Sequence, residues 1–309
     1  MADLTDKFKP NANRRPLSQK ALDEIVLESA ASQDARTLTL ALMAGGSANA
    51  KNSANGEPAL IYSASHGNTE QLKLLLEFGA DVNGCDNFGQ TAPMEALHGR
   101  HEKALQFLLS SGYDIDHRDT TNNTLLMHAV RGLEWKPVRI VLDHDPDPFV
   151  KDGKGRTARM ILEDMHEVTP PEMKPSVDRM LSMIIRHEER YYSYLASEAV
   201  DRKDYKELET LAQAGPEMGR TPWGLGQALI IAVKAMDEKA VEIILAGNPD
   251  INAHDPLGCS VRAVMNARQY EAGNSNTKHD QLDRIQEKLE AYEASLSKAT
   301  PAPSAPKSP

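Results

Sequence analysis

Residues that end helices return in this chain at a fixed interval. Gly79 closes the helical stretch in LLLEFGADVN, Gly112 follows 33 residues later in LLSSGYDID, and Asp145 another 33 later in VLDHDPDPF. Gly45 precedes Gly79 by 34, and Gly215 and Asn248 form a further pair 33 apart. Gly, Asn and Asp enter left-handed backbone at least cost, so each of these positions predicts a helix end. Upstream of them stand apolar pairs, Leu75-Leu76, Leu108-Leu109, Val141-Leu142 and Ile244-Leu245, which give each helix one face to bury. A chain built this way is stabilised by contacts between neighbouring units.

Downstream of the stops, turn residues recur in the same phase: Asp86 and Gly89, Asp119 and Asn122, Asp152 and Gly155, Asp255 and Gly258. Two residues after each pair comes Thr91, Thr124, Thr157 or Ser260, a hydroxyl suited to cap the next helix. One unit is therefore turn, helix, short link, helix, turn. Scarce aromatic residues, 5% of the chain, together with abundant Ala, Leu and Met, favour helix over sheet.

In GEPALIYSASHGNTEQLKLLLEFGADVN and GQTAPMEALHGRHEKALQFLLSSGYDID the sequence resembles the ankyrin-repeat family. The resemblance implies an all-α solenoid of about eight helix-turn-helix units with short hairpin loops. The units begin near Leu22, Ser53, Asp86, Asp119, Asp152, Glu189, Pro222 and Asp255. The expected organisation is a disordered arm over 1–19, repeats one to five over 20–188, repeats six to eight over 189–299 and a disordered Pro/Ala/Ser tail over 300–309. The fifth unit departs from the pattern: the proline-rich loop 169–175 interrupts it, and the Gly- and Pro-free run 176–200 predicts one long or kinked helix in place of a hairpin. A missing hairpin weakens neighbour coupling, so a seam is expected near 185–192. The last unit carries a polar loop over 271–280 and a final helix, 281–299, with the charged outer face of a cap.

Other features narrow the function. A formal charge of −10 opposes binding to nucleic-acid phosphates or anionic lipid. No run of about 18 apolar residues occurs, so membrane insertion is not expected, and a cytoplasmic, monomeric protein is. Cys85 and Cys259 form neither a disulfide framework nor a zinc spacing, which fits a reducing compartment. Glu95-x-x-His98-x-x-His101 has a metal-like look, but His101 falls where the second helix of a unit begins, a place for bonding neighbouring loops. DHDPDP at 143–148 reads as a rigid turn around Asp145 and not as a calcium loop. No metal, no cofactor and no catalytic constellation is read from the chain. PSAP at 303–306 resembles a short linear motif, a pattern that such a composition also produces by chance.

The resemblance implies a non-catalytic scaffold or adaptor that binds a protein on the concave surface of hairpin tips and first helices. The same stack would also serve a bacterial effector aimed at a host protein. The tip positions singled out are Asn87, Phe88, Thr121, Lys154, Trp223 and Leu257, and the first-helix positions His66, His98, Arg131 and Lys234. Phe88, Trp223 and Arg131 are the anchor candidates, because aromatics and Arg dominate interface energy. For Phe88 and Trp223 a second reading stands beside this one, in which each covers a neighbouring hairpin.

Overall fold

A computed structural model describes residues 17–217, 223–255, 258–272 and 276–299. The expected arm, most of it outside this set, the tail with its PSAP motif, and Leu257 therefore lie outside the described residues, as does the side chain of Trp223. Among the described residues there are fifteen helices and no named strand. No helix there is long and apolar enough to cross a membrane. The chain divides into two compact units, one ending at His187 and the other starting at Glu188.

The first unit opens with antiparallel-type helix pairs: α1 (Gln19–Ala31) with α2 (Ala35–Met43), and α3 (Ala59–Ser65) with α4 (Thr69–Glu77). Next come α5 (Ala92–His98) with α6 (Glu102–Leu109), and α7 (Leu125–Arg131) with α8 (Trp135–Leu142). First helices pack on first helices, α1 on α3, α3 on α5, α5 on α7 and α7 on α9 (Ala158–Val168), and second helices form their own row. Leu72, Leu75, Leu105, Leu108, Val138 and Val141 from that second row are all fully buried. Each such side chain contributes roughly 1.5–3 kcal/mol by burial, which far exceeds what a seven- to nine-residue helix gains from propensity.

The helix stops match the expected positions with one exception. Gly45, Gly79, Gly112, Asp145 and Asn248 all have positive φ. Gly215 does not end a helix; it lies inside α11 (Tyr205–Glu217). Glycine permits left-handed backbone without demanding it, and here the helix continues through it.

A second left-handed position recurs in each link between paired helices, at Gln33, Gly67, Arg100, Leu133, Lys203 and Met236. In five of these links the same pair of bonds closes the turn. Arg100 N–H donates to Leu97 O at 3.0 Å and His101 N–H to Ala96 O at 2.8 Å; Gly67 and Asn68, Gln33 and Asp34, Lys203 and Asp204, and Met236 and Asp237 repeat it. This double closure satisfies carbonyls that the helix end would leave unpaired.

The hydroxyl caps are mixed. Thr124, Thr157 and Ser260 accept the N–H groups of Met127, Met160 and Ala263. Thr91 caps nothing with its side chain, because its buried Oγ1 pairs with the Tyr113 hydroxyl at 3.0 Å. Burial under the neighbouring unit redirects the hydroxyl to the one partner within reach.

After α9 and a loop starting at Thr169, helix α10 (Lys174–Arg202) runs without interruption past both ends of the expected 176–200 span. Trp135 sits at the start of α8 with the Arg179 guanidinium 3.5 Å from its ring centre. In the second unit, α12 (Trp223–Lys234) and α13 (Glu238–Ala246) form another pair, with α14 (Val261–Ala272) and α15 (Asn276–Ala299) after them. The polar loop expected over 271–280 is shorter than that, since α14 continues to Ala272 and α15 begins at Asn276. Leu282, Ile285 and Leu289 form the buried stripe of α15.

Candidate functional site

Four of the hairpins between units are each built around one aspartate, and the first around Asn52. Asp86 Oδ1 accepts from the N–H groups of Phe88 and Gln90, Asp119 Oδ1 from Thr121 and Asn123, and Asp152 Oδ1 from Lys154 and Arg156, all at 2.8–2.9 Å. Asp255 does the same for Cys259 at 2.8 Å. The left-handed residue that follows, Gly89, Asn122, Gly155 or Gly258, donates to the backbone oxygen of the same aspartate at 2.8–3.1 Å. These turns also bond to one another: Asn87 N–H to Asn55 O, Thr120 N–H to Phe88 O and Gly153 N–H to Thr121 O, at 2.9–3.0 Å. The tips of the first unit thus form a continuous ladder, each rung joining one repeat to the next.

In the loops that follow the second helices a matching set of side chains fixes the stagger. Asn49, Asn83 and Asp116 accept the backbone N–H of Asp81, Asp114 and Asp147 at 2.7–2.8 Å. Hairpins and loops alike are therefore hydrogen-bonded from one repeat to the next, and the face that the hairpin tips share with the first helices is held in register.

On that face the candidate residues divide into exposed and engaged. Phe88 is 62% exposed, and Asn87, Thr121 and Lys154 are exposed beside it. His66 is exposed, with Nδ1 2.8 Å from Tyr62 O on its own helix. Arg131 is committed: its Nη2 donates to Asn123 Oδ1 at 2.8 Å and lies 3.6 Å from Asp152 Oδ2. Lys234, in the second unit, donates to Asp255 Oδ2 at 2.7 Å. Both cations thus neutralise a nearly buried hairpin aspartate 21 residues ahead.

Arg131, Asp119, Thr121, Asn123, His128, Asp152, Lys154 and Arg156 line a groove of about 690 Å³ across two hairpins. Burial alone would raise the Asp119 carboxyl, but donors from Asn123, Thr121 and His128 outweigh it and hold the group down at about 2. Desolvation lowers His128, keeping its ring neutral to lower pH than a free histidine, and it lowers Arg131 as well. The charged groups of the groove are engaged with one another through hydrogen bonds and ion pairs.

His98 and His128 meet edge to face with ring centres 5.1 Å apart. His98 is also within 3.5 Å of Glu95. His101 turns the other way and bonds Ser65 O at 3.0 Å, the role its position at the start of α6 suggests. Glu95, His98 and His101 therefore do not converge, and no group of three or more His, Cys, Asp or Glu is arranged to hold a metal among the described residues.

Sequence reasoning passed over His128 and the hairpin aspartates as members of the site. The available signal was the recurrence of Asp86, Asp119, Asp152 and Asp255 in phase, with a basic residue 21 positions before the last two.

A comparison with curated proteins finds no match. A family model described as ankyrin repeats (3 copies) matches residues 27–119, the stretch that holds α2 to α6 and the hairpins around Asn52 and Asp86. Repeats of this family are generally protein–protein interaction modules. A hairpin met only once could not satisfy three consecutive copies of that pattern, and residues 27–119 of the chain are ankyrin repeats.

Proposed function

We propose that the chain is a non-catalytic protein-binding scaffold or adaptor, and that the hairpin face of its first unit receives the partner. The observation that carries this reading is the contrast at the tips. The backbone N–H groups of Asn87, Phe88, Thr120, Thr121, Gly153 and Lys154 are all bonded within the ladder, while Phe88 leaves 62% of its surface in water and Lys154 is exposed. An exposed aromatic on a rigid backbone loses little conformational entropy on binding, which is what an interface anchor needs. The groove beside it supplies the polar rim.

The test is affinity capture by the full chain, comparing wild type with a Phe88→Ala, Lys154→Glu double variant. Arg131 is left intact because its bonds to Asn123 and Asp152 hold the loop. A protein retained by wild type and lost by the folded double variant supports the hairpin face. Identical retention by both refutes it.

A further inference from the structure

Four side chains of the first unit stand in line across two repeats: Glu95 and His98 on α5, His128 on α7, and Asp119 in the hairpin between them. Glu95 Oε1 lies 3.5 Å from His98 Nδ1, His98 Nε2 lies 3.3 Å from His128 Nδ1, and His128 Nε2 lies 3.0 Å from Asp119 Oδ2. Ionised carboxylates at both ends can only accept, so three contacts need three N–H donors. Two neutral imidazoles supply two. One contact must remain unmade until the line takes up a proton.

Geometry selects which one. The shortest contact is the buried pair, and Asp119 fixes His128 as the tautomer with its proton on Nε2 and a lone pair on Nδ1. That lone pair accepts from His98 Nε2–H. His98 Nδ1 then turns a lone pair toward Glu95, across the longest gap of the three, at the limit for a hydrogen bond. His98 is also the accessible ring, 46% exposed against 14% for His128.

We propose that these residues form a one-proton latch, open while both rings are neutral and closed when His98 takes up a proton and becomes an imidazolium donating to both Glu95 on its own helix and His128 on α7. His128 stays neutral throughout, in keeping with the downward push that desolvation gives it. The nearness of His98 holds Glu95 below its usual range, in keeping with an acceptor that stays ionised.

The other charged groups around the line are already engaged. Arg131 on α7 is bound to Asn123 beside Asp152, and Arg156 binds Asp152 and Asp164. On α3, His66 bonds Tyr62 O; at the start of α6, His101 bonds Ser65 O; on α9, Arg159 pairs with Glu163. Open, the latch leaves Glu95 available to a donor from outside; closed, it satisfies Glu95 within α5 and makes the existing His98–His128 contact to α7 a charge-assisted hydrogen bond.

The experiment is nitrogen-detected imidazole NMR on the full chain, titrated from about pH 8 to about pH 5, the range in which histidine changes charge. In wild type, His128 keeps its Nε2–H tautomer across the titration while His98 passes from one N–H to two. In Glu95→Gln the His98 midpoint falls by about half a unit or more, since an opposing charge is lost. The latch is overturned if His128 takes up the first proton, if His98 Nδ1 is protonated at the start and never responds, or if Glu95→Gln leaves the His98 midpoint in place. The wild-type tautomers decide the matter even if the variant folds poorly.

Discussion

Gly89 and Gly155 occupy the same hairpin position two repeats apart, with φ of +74° and +78°. A Cβ at Gly155 would meet nothing within 4 Å, whereas a Cβ at Gly89 would lie 2.8 Å from Asp119 Cα and 3.0 Å from Thr120 N. The pair separates backbone strain from contact with the next repeat. Forcing alanine into left-handed backbone costs about 1–2 kcal/mol, and the stiffer unfolded chain returns about 0.4–1 kcal/mol. Gly155→Ala should therefore destabilise by about 0.5–1.5 kcal/mol. Gly89→Ala adds overpacking against backbone that cannot rotate away, about 1–3 kcal/mol, and strains the Thr120 N–H to Phe88 O bond for about 1 kcal/mol more. The expected total is about 2.5–5.5 kcal/mol by the same principles. Equilibrium urea unfolding of both variants, compared at matched slope, gives the two numbers. Equal losses would refute the claim that the hairpin ladder couples neighbouring repeats at this point.

Three further outcomes follow from the same geometry. Lys203→Gly, at an exposed left-handed residue with φ +58°, should raise stability by about 0.5 kcal/mol, read as a shifted urea midpoint; any loss would show that this backbone is unstrained. Because the folded carboxyl of Asp119 is depressed to about 2, its contribution is complete above the ordinary aspartate range near 3.8 and is lost as pH falls toward 2. After allowance for solvent screening that contribution is about 1–2 kcal/mol, and Asp119→Ala should remove most of the acid dependence of the first unit between those values. Lastly, thermal unfolding of the full chain should show two transitions, the division falling near the expected seam; one sharp transition with matching calorimetric and van't Hoff enthalpies would exclude separate melting.

The legible part of the fold was the part written in residues with unusual backbone freedom. Gly45, Gly79, Gly112, Asp145 and Asn248 announced the helix ends because few other residues take that conformation cheaply. The link between paired helices is equally left-handed but is occupied by Gln33, Arg100, Leu133, Lys203 and Met236, with only Gly67 as a glycine. In all of these but the Leu133 link a double hydrogen-bond closure imposes the conformation, so side-chain identity carries no trace of it. Gly215 is the converse error, a permissive residue in a helix that simply continues. Thr91 fails for a third reason: a cap position predicts where a hydroxyl is, and burial beside Tyr113 decides what it bonds.

The site shows the same division between position and partner. Arg131 and Lys234 were placed on the hairpin face from register alone, and the structure ties both to hairpin aspartates with side chains only 4% and 8% exposed. Removing such a cation leaves a charge largely shielded from water, so Arg131→Ala should cost about 1–2 kcal/mol, moderated because Arg156 also reaches Asp152 at 3.0 Å. Phe88→Ala should change stability by less than about 0.5 kcal/mol, since the ring is mostly in water and its backbone bonds survive. The two variants then make opposite use of one surface: the first reports on the loop, the second on whatever the loop presents. If Phe88→Ala unfolds the chain as readily as Arg131→Ala, the ring covers the neighbouring hairpin and recognition has to be sought among the remaining exposed tips, Asn87, Thr121 and Lys154.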